Sequence, residues 1–337
     1  MVSTGPRVTG FDVARAAGVS QSTVSRALRN DPSIGPRTVK KVLEVAEALH
    51  YVPSSRARAL STGATNRVAM VIDLDNLLWP LLVGRLHDEL ARHGYELSLV
   101  ASHGERDVET QLASGSVDGV IVSASPLAST LPATLRGRGI PVVMLQRHSS
   151  DPDVDAAVAD DDEGGAAAAR MLLAAGHERI GALFGPADTS TGRERETGFR
   201  RVLAEAGVDL PERWVRHGGF ELAHGFASFK DVTGTGGRDA PTALFCANDM
   251  IAIGAMNAAH AAGRQVPQDV ALVGFDDIET ASWPLIDLST IRVPFDDMLR
   301  SAVSLLLERM GGHSGLGRRV VHPVVPVPRS THERQRP

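Results

Sequence analysis

From Arg67 onward the chain alternates short apolar runs with amphipathic stretches, and that alternation admits few folds. The runs Val68–Ile72, Leu97–Val100, Val117–Val122, Pro141–Leu145, Ile180–Phe184, Ala243–Cys246 and Val270–Phe275 read as strands. The stretches 80–93, 163–175, 194–206, 249–262 and 295–310 between them read as helices. Strands of this kind, each followed by a helix, predict parallel sheets covered on their faces by helices. The series is too long for one small sheet and divides into two open α/β halves.

The first fifty residues follow another pattern, that of three short helices. Thr9 and Asp12 form a capping-box-like start, with Val13, Ala14, Ala16 and Ala17 as a small apolar face. Gly18 ends this helix. Ser20 caps the next, whose buried side is Val24, Ala27 and Leu28. Gly35-Pro36 opens a third, with proline at the first helical position and a stripe of Val39, Val42, Leu43, Ala46 and Leu49. A polar, basic run, Pro53-Ser54-Ser55-Arg56-Ala57-Arg58-Ala59-Leu60, then leads into the α/β body; it is too short and polar for a stable isolated helix. The expected domains are residues 1–52, a linker 53–66, and a body 67–337.

Charge divides along the same line. Residues 1–66 carry nine Lys/Arg against four acids, whereas the whole chain is at −5, so the body is acidic. A basic head on an acidic body suits a polyanion at one end only. No apolar stretch has membrane-spanning length, and residues 1–10 lack the apolar core of a secretory signal. A single cysteine, Cys246, excludes an internal disulfide and a multi-cysteine metal site. These features point to the cytoplasm. There is no phosphate-binding loop, nucleophile elbow or zinc motif, so no enzyme, cofactor or metal is implied. Asp160-Asp161-Asp162-Glu163 looks like a metal cluster but reads better as solvated acids at a helix N-terminus.

The segment Asp12–Leu28 resembles the headpiece of the lactose/galactose-repressor (LacI/GalR) family of transcription regulators. A helix-turn-helix reads base edges with the start of its second helix, which makes Gln21, Ser22 and Arg26 base-reading candidates. Thr9, Ser20, Thr23 and Ser25 suit phosphate contact and register. The resemblance continues through Pro53, Ala57, Arg58 and Leu60, with Ser54 where the family usually has Asn. It implies a hinge helix that forms on operator DNA, Leu60 wedging a base step and Ala57 permitting close approach. Phe11, where a polar residue is common, and Gly35, where Ser or Thr is common, are minor departures.

The body is similar to the same family from Arg67 to about Thr331. Asp160–Gly165, Gly176–Ile180, Gly185–Ala187, Arg193–Phe199, Ala247–Asp249 and Val273–Ile278 carry the likeness. It implies a two-lobed, periplasmic-binding-protein-like core with parallel sheets and a small-molecule effector in the cleft. Asp75, Trp79, Arg147, Asn248 and Asp276 fall just past strands, and Arg195 and Phe220 occupy family cleft positions. Carboxylates, amide, guanidinium and aromatic faces suit a sugar, with a purine as the alternative. Asn248 could equally cap a helix, and Gly274–Asp277 could be a plain turn. Asn76-Leu77-Leu78-Trp79 departs from the family's Asn-Pro-Phe-Phe, and the short Glu105–Ser116 stretch puts one helix in question. The resemblance further implies a homodimer or tetramer on a palindromic operator, joined through helix faces that include 80–93 and 249–262. It leaves open whether effector releases DNA or promotes its binding. A transport-type solute-binding protein would not carry the basic headpiece, and a carbohydrate-active enzyme would need an acid/base pair in the cleft.

Overall fold

A computed structural model describes residues 8–28, 31–51, 64–74, 76–102, 105–112, 116–234 and 240–333. Met1–Thr65 and Asn66–Pro337 form two separate compact units. The first holds helices α1 (Gly10–Ala17), α2 (Gln21–Ala27) and α3 (Pro36–Ala48). The Asp12 carboxylate accepts from Thr9 N at 2.9 Å and from Thr9 Oγ1 at 2.7 Å, fixing the start of α1. Gly18 closes α1 at φ 64°, a left-handed cap that glycine adopts without strain. The core is built almost wholly of valine and alanine: Val13, Ala14, Ala17, Val24, Ala27, Val42 and Ala46. Side chains this small let three short helices cross closely. Most of the expected linker 53–66, including Ala57 and Leu60, falls on residues 52–63, outside the described residues.

In the second unit, β1 (Arg67–Ile72), β2 (Glu96–Ala101), β3 (Gly119–Val122), β4 (Val142–Leu145), β5 (Asp155–Ala159) and β11 (Arg319–His322) form a parallel sheet. Its order is β11-β5-β4-β3-β1-β2. Successive strand residues point to opposite faces. Val68, Met70, Ile72, Val143 and Leu145 share a cluster with Leu82 and Leu86 of α4 (Leu78–Arg92) and Leu299 and Val303 of α11 (Phe295–Met310). Ala69, Val71, Val120, Val122 and Met144 instead meet Val108 and Leu112 of α5 (Glu105–Leu112) and Leu131 and Leu135 of α6 (Leu131–Gly137). Burial on both faces is why these strands read as unbroken apolar runs. Each fully buried Val, Leu or Ile contributes about 1.5–3 kcal/mol.

The second lobe has β6 (Ile180–Phe184), β7 (Val215–His217), β8 (Ala243–Cys246) and β9 (Ala271–Val273) in the order β7-β6-β8-β9, again parallel. Around it lie α7 (Asp161–Ala174), α8 (Ser190–Glu205), α9 (Leu222–Thr233) and α10 (Asp249–Ala261). The chain passes between lobes three times: after β5, after β10 (Thr290–Arg292) and after β11, before β12 (Val325–Val327) pairs antiparallel with β10. Asp277 ties the last two passages together, accepting from Arg292 Nε and from Arg329 Nη2, each at 2.6 Å.

Several expectations change. Strands β5, β7 and β10–β12 and helices α6 and α9 had no clear sequence signal, and α5 forms despite the short stretch available to it. The 249–262 helix offers no broad free face, because Ile251, Ala252, Ile253, Ala255, Ala258 and Ala259 are all buried. It is held backbone-close against α9, where a side chain at Gly225 would strike the Ile251 carbonyl. Among the described residues no helix is long and apolar enough to cross a membrane.

Candidate functional site

Two surfaces draw together polar and charged side chains. On the headpiece, α2 buries Val24 and Ala27 and turns Gln21, Ser22 and Arg26 outward. Ser20 Oγ accepts from Thr23 N at 3.1 Å and lies 2.8 Å from both Ser22 Oγ and Thr23 Oγ1. These hydroxyls ring the N-terminus of α2, where backbone N–H groups and the helix dipole favour an anion. Ser25 is half-buried on the same side, and Thr9 is exposed at the start of α1. One short helix therefore presents an amide, a guanidinium and hydroxyls on its open face, the donor set that base edges and phosphates accept.

The second surface is the cleft between lobes. The turns after β3, β4, β5, β8 and β9 all end there, as expected at the carboxyl ends of parallel strands. Arg195, on α8 and 1 % exposed, is the hub on the second lobe. Its Nε donates to Asp161 Oδ1 at 2.7 Å, Nη1 to the Ala247 carbonyl at 2.6 Å and Nη2 to Asp276 Oδ1 at 3.3 Å. Its guanidinium carbon stands 3.7 Å from the centre of the Phe275 ring and 5.7 Å from that of Phe220. Burial pushes the Asp276 carboxyl up to about 7 and that of Asp161 up to about 6, with Arg195 pulling both back.

Backbone strain marks the same turns. Gln146, Asp276 and Asp277 have φ of 67°, 110° and 56°, values that non-glycine residues rarely take. Such strain costs on the order of 1–3 kcal/mol per residue and persists only where surrounding structure imposes it. At Asp276 that structure is Asp249, which accepts from Thr290 Oγ1 at 2.5 Å and from Ile278 N at 2.9 Å. Burial, then the nearby Asp276, raises the Asp249 carboxyl well above its usual range.

From the first lobe, Arg147 follows β4 and places its guanidinium carbon 5.9 Å from the Phe220 ring centre. Arg147, Arg195, Phe220 and Asp276 thus meet across the cleft. Asn248 is near them but engaged: its carbonyl caps α10 at Ile251 N (2.8 Å) and its amide donates to the Phe220 carbonyl (3.1 Å). In this structure it positions Phe220. Trp79 departs from expectation, for it is 1 % exposed and packs with Leu78, Leu82 and Leu86 in the first-lobe core, offering no open stacking face. Asp75 lies outside the described residues.

Sequence reasoning gave no separate place to Asp161 and Asp249, which the structure buries beside Arg195 and Asp276. The four acids 160–163 are not uniformly solvated: Asp160 caps α7 at Glu163 N, Asp161 is buried against Arg195, Asp162 pairs with Arg201 and Glu163 with Arg170. Among the described residues no group of His, Cys, Asp and Glu could hold a metal ion.

Comparison with known proteins agrees with this layout. Residues 11–54 match the model of bacterial regulatory proteins, lacI family, and residues 169–332 match a periplasmic binding protein-like domain. The HTH-type transcriptional repressor PurR of Aliivibrio salmonicida is 32 % identical over 330 residues, 96 % of this chain and 98 % of that protein. The PurR repressor of Photobacterium profundum is 32 % identical over 305 residues, 89 % and 91 % of the two chains. Among solved structures, the lac repressor dimer bound to operator and the anti-inducer ONPF superposes with TM-score 0.83 at 27 % identity, over 97 % of this chain and 99 % of that one. The CelR–cellobiose complex does so with TM-score 0.73 at 28 % identity, over 96 % and 100 %. The chain belongs to the lacI family of bacterial regulatory proteins, DNA-binding regulators of transcription rather than enzymes.

Proposed function

We propose that the chain is a repressor that binds a palindromic operator as a homodimer and changes its operator affinity when a sugar-type effector occupies the cleft. The observation that carries the DNA half is the outward polar face of α2, with Gln21, Ser22 and Arg26 opposite the buried Val24–Ala27 seam. Gln21 and Arg26 read base edges, Thr9, Ser20, Thr23 and Ser25 set register on phosphates, and Leu60 with Ala57 opens the minor groove. The effector half is supported by Arg195, Asp276, Phe220 and Arg147 converging between lobes, with Asn248 holding Phe220 in place. A cellobiose complex among the structural relatives favours a sugar over a nucleobase. Regulation of this kind couples two sites by about 1–3 kcal/mol and is reciprocal. Acting on DNA, the protein works in the cytoplasm.

Dimerisation is supported by the lac repressor dimer as a structural neighbour and by two sets of exposed apolar side chains. Leu77 and Leu81 lie at the start of α4; Leu222 and Phe226 on α9, with Trp283 and Leu285, mark the second lobe. These replace the buried α10 face as the candidate contact.

The test is a gel-shift titration on operators selected from a random library, with wild type, Arg26→Ala and Leu60→Ala. Selection should return an inverted repeat. Arg26→Ala should weaken binding by about 1–3 kcal/mol and relax one base position symmetrically. Leu60→Ala should weaken operator binding and leave effector affinity unchanged. Selection of no repeat, or an unaltered affinity in both variants, overturns this reading.

A further inference from the structure

Among the described residues, the first-lobe wall of the cleft holds a buried cation with no carboxylate in ion-pair contact. Arg147 is 8 % exposed, yet no described carboxylate lies within 4 Å of it. Among the described residues its guanidinium makes a single, long hydrogen bond, Nη1 to the Ser125 carbonyl at 3.3 Å. Its Nε is buried with no partner, and so is the hydroxyl of Ser125 itself. Two unused donors, one of them charged, therefore belong to residues in contact with each other, and the guanidinium carbon of Arg147 stands 5.9 Å from the centre of the Phe220 ring. A buried donor left unpaired costs about 1–3 kcal/mol, more when charged, and native proteins keep such groups chiefly where something else completes them.

The other charges of the cleft do not fill this role. Asp161 and Asp276 are both bonded to Arg195 on the opposite lobe. Asp73 and Asp188 act on Arg147 only at longer range, and Arg195 opposes it as a like charge. Burial is the largest influence on Arg147 and brings it down to about 10, so its charge is held against a desolvation cost. A water would satisfy one donor and leave the charge unmatched. A neutral hydroxyl would do the same. A carboxylate offers two acceptor oxygens in a plane, the shape that a guanidinium fork matches, with lone pairs remaining for the Ser125 hydroxyl. A phosphate dianion suits the place less well, because Asp73, Asp161, Asp188 and Asp276 would repel its second charge and one arginine cannot offset it.

We propose that the effector is a hydroxylated carboxylic acid of sugar type, its carboxylate bound by Arg147 and Ser125 of the first lobe and its hydroxyls by Asp276 and Arg195 of the second. The proposal rests on the reading of the cleft as an effector site and narrows its ligand class. It also gives the ligand a reason to hold the lobes together, since its two ends engage opposite walls.

The test uses the full-length protein and thermal-shift and calorimetric titration. The probes are D-glucuronate, D-galacturonate, D-gluconate and D-galactonate, their neutral parents glucose and galactose, glucose 6-phosphate, inorganic phosphate and a set of nucleobases. At least one acid should raise the melting temperature where its neutral parent does not. Arg147→Met should weaken that acid roughly ten- to hundredfold, as loss of a charge-assisted hydrogen bond does, and Ser125→Ala by less. Without ligand, Arg147→Met should melt at the same temperature as wild type or a few degrees higher, because it removes an unpaired buried charge. A lowered melting temperature would make Arg147 a structural residue and overturn the proposal. Neutral sugars, nucleobases or phosphates binding in preference to the acids, or an acid whose affinity ignores Arg147→Met, would overturn the carboxylate while leaving the cleft an effector site. No response to any probe would overturn both.

Discussion

Gly198→Ala should be strongly destabilising to the second lobe and should disable the cleft from a distance. A side chain at this position would place its first carbon 1.8 Å from the Asp162 carbonyl oxygen and 2.7 Å from its carbon. Ordinary contact between such atoms needs about 3.5 Å. Helices α7 and α8 would have to part by roughly 1.5 Å, since the obstacle is backbone and cannot rotate away. Arg195 lies one turn earlier on α8, and its Nε bond to Asp161 of α7 is 2.7 Å. Separation on that scale breaks it and leaves Asp161 buried beside a displaced cation. Overpacking of this kind costs about 1–3 kcal/mol, and a lost hydrogen bond to a charged group about 1.5–3. Against these, alanine gains about 0.5–1 kcal/mol over glycine within a helix. The expected net loss is about 1.5–5.5 kcal/mol, read from the midpoint of urea denaturation at constant slope. Gly165→Ala, which meets the Arg195 carbonyl oxygen at 2.0 Å from the other side of the same crossing, should behave alike, and the pair should be less than additive. A Gly198→Ala protein as stable as wild type would refute the close crossing and with it the account of how Arg195 is placed.

Two further outcomes are expected. Asp155, fully buried on β5, accepts from Arg309 Nε at 2.7 Å and Nη2 at 2.9 Å and from Arg318 N at 2.7 Å. Burial alone would raise this carboxyl, but the two arginines overcome it and hold it at about 2, so its contribution is present above pH 4 and fades as the pH falls toward 2. Asp155→Asn should therefore cost about 2 kcal/mol at pH 7 and flatten the acid limb of the stability curve; an unchanged limb counts against the cluster. Glu194→Gln should loosen the lobes, because Glu194 on α8 accepts from Arg319 at 2.8 Å and bonds His148 at 2.9 Å across the cleft. Small-angle scattering should record a larger radius for the ligand-free variant, and an identical profile would dismiss the latch.

The sequence disclosed those elements whose burial is one-sided in composition. Strands β1, β3, β4, β6 and β8 are apolar on both faces and stand out at once. The β5 sequence Asp-Ala-Ala-Val-Ala carries alanine where the sheet is covered by close helices, and alanine announces a helix as readily as a strand. Strand β11 alternates exposed and half-buried residues at a sheet edge, and β7 and β12 span three residues each, too few for periodicity to register. Position just past a strand located Arg147, Asn248 and Asp276, because the ends of parallel strands converge. The same rule says where a residue sits and not which way its ring turns, and Trp79 is buried in the first-lobe core. Asp161 was hidden for another reason: it is buried only because Arg195, thirty-four residues later, meets it across a helix crossing that needs Gly165 and Gly198.

The way the two lobes touch explains why such a cleft can serve as a control. Across it run Leu127 N to the Asp188 carbonyl at 2.8 Å, His148 N to Ser190 Oγ at 3.1 Å, and the contacts of Glu194 with His148 and Arg319. These are polar and partly solvated, each worth about a kcal/mol or less in net terms. A lobe contact built of leucines would bury its own stability and stay shut whatever occupied the cleft. Apolar packing is continuous from one lobe to the other, but the contacts at the cleft mouth are exchangeable hydrogen bonds, whose making and breaking falls within the few kcal/mol that differential ligand affinity can supply. The strained turns at Gln146 and Asp276 and the unpartnered Nε of Arg147 lie at the same cleft, and each is a cost that the surrounding structure carries. On the function proposed above, a small effector would move the lobes by adding contacts at a cleft mouth where the protein's own polar contacts are individually weak.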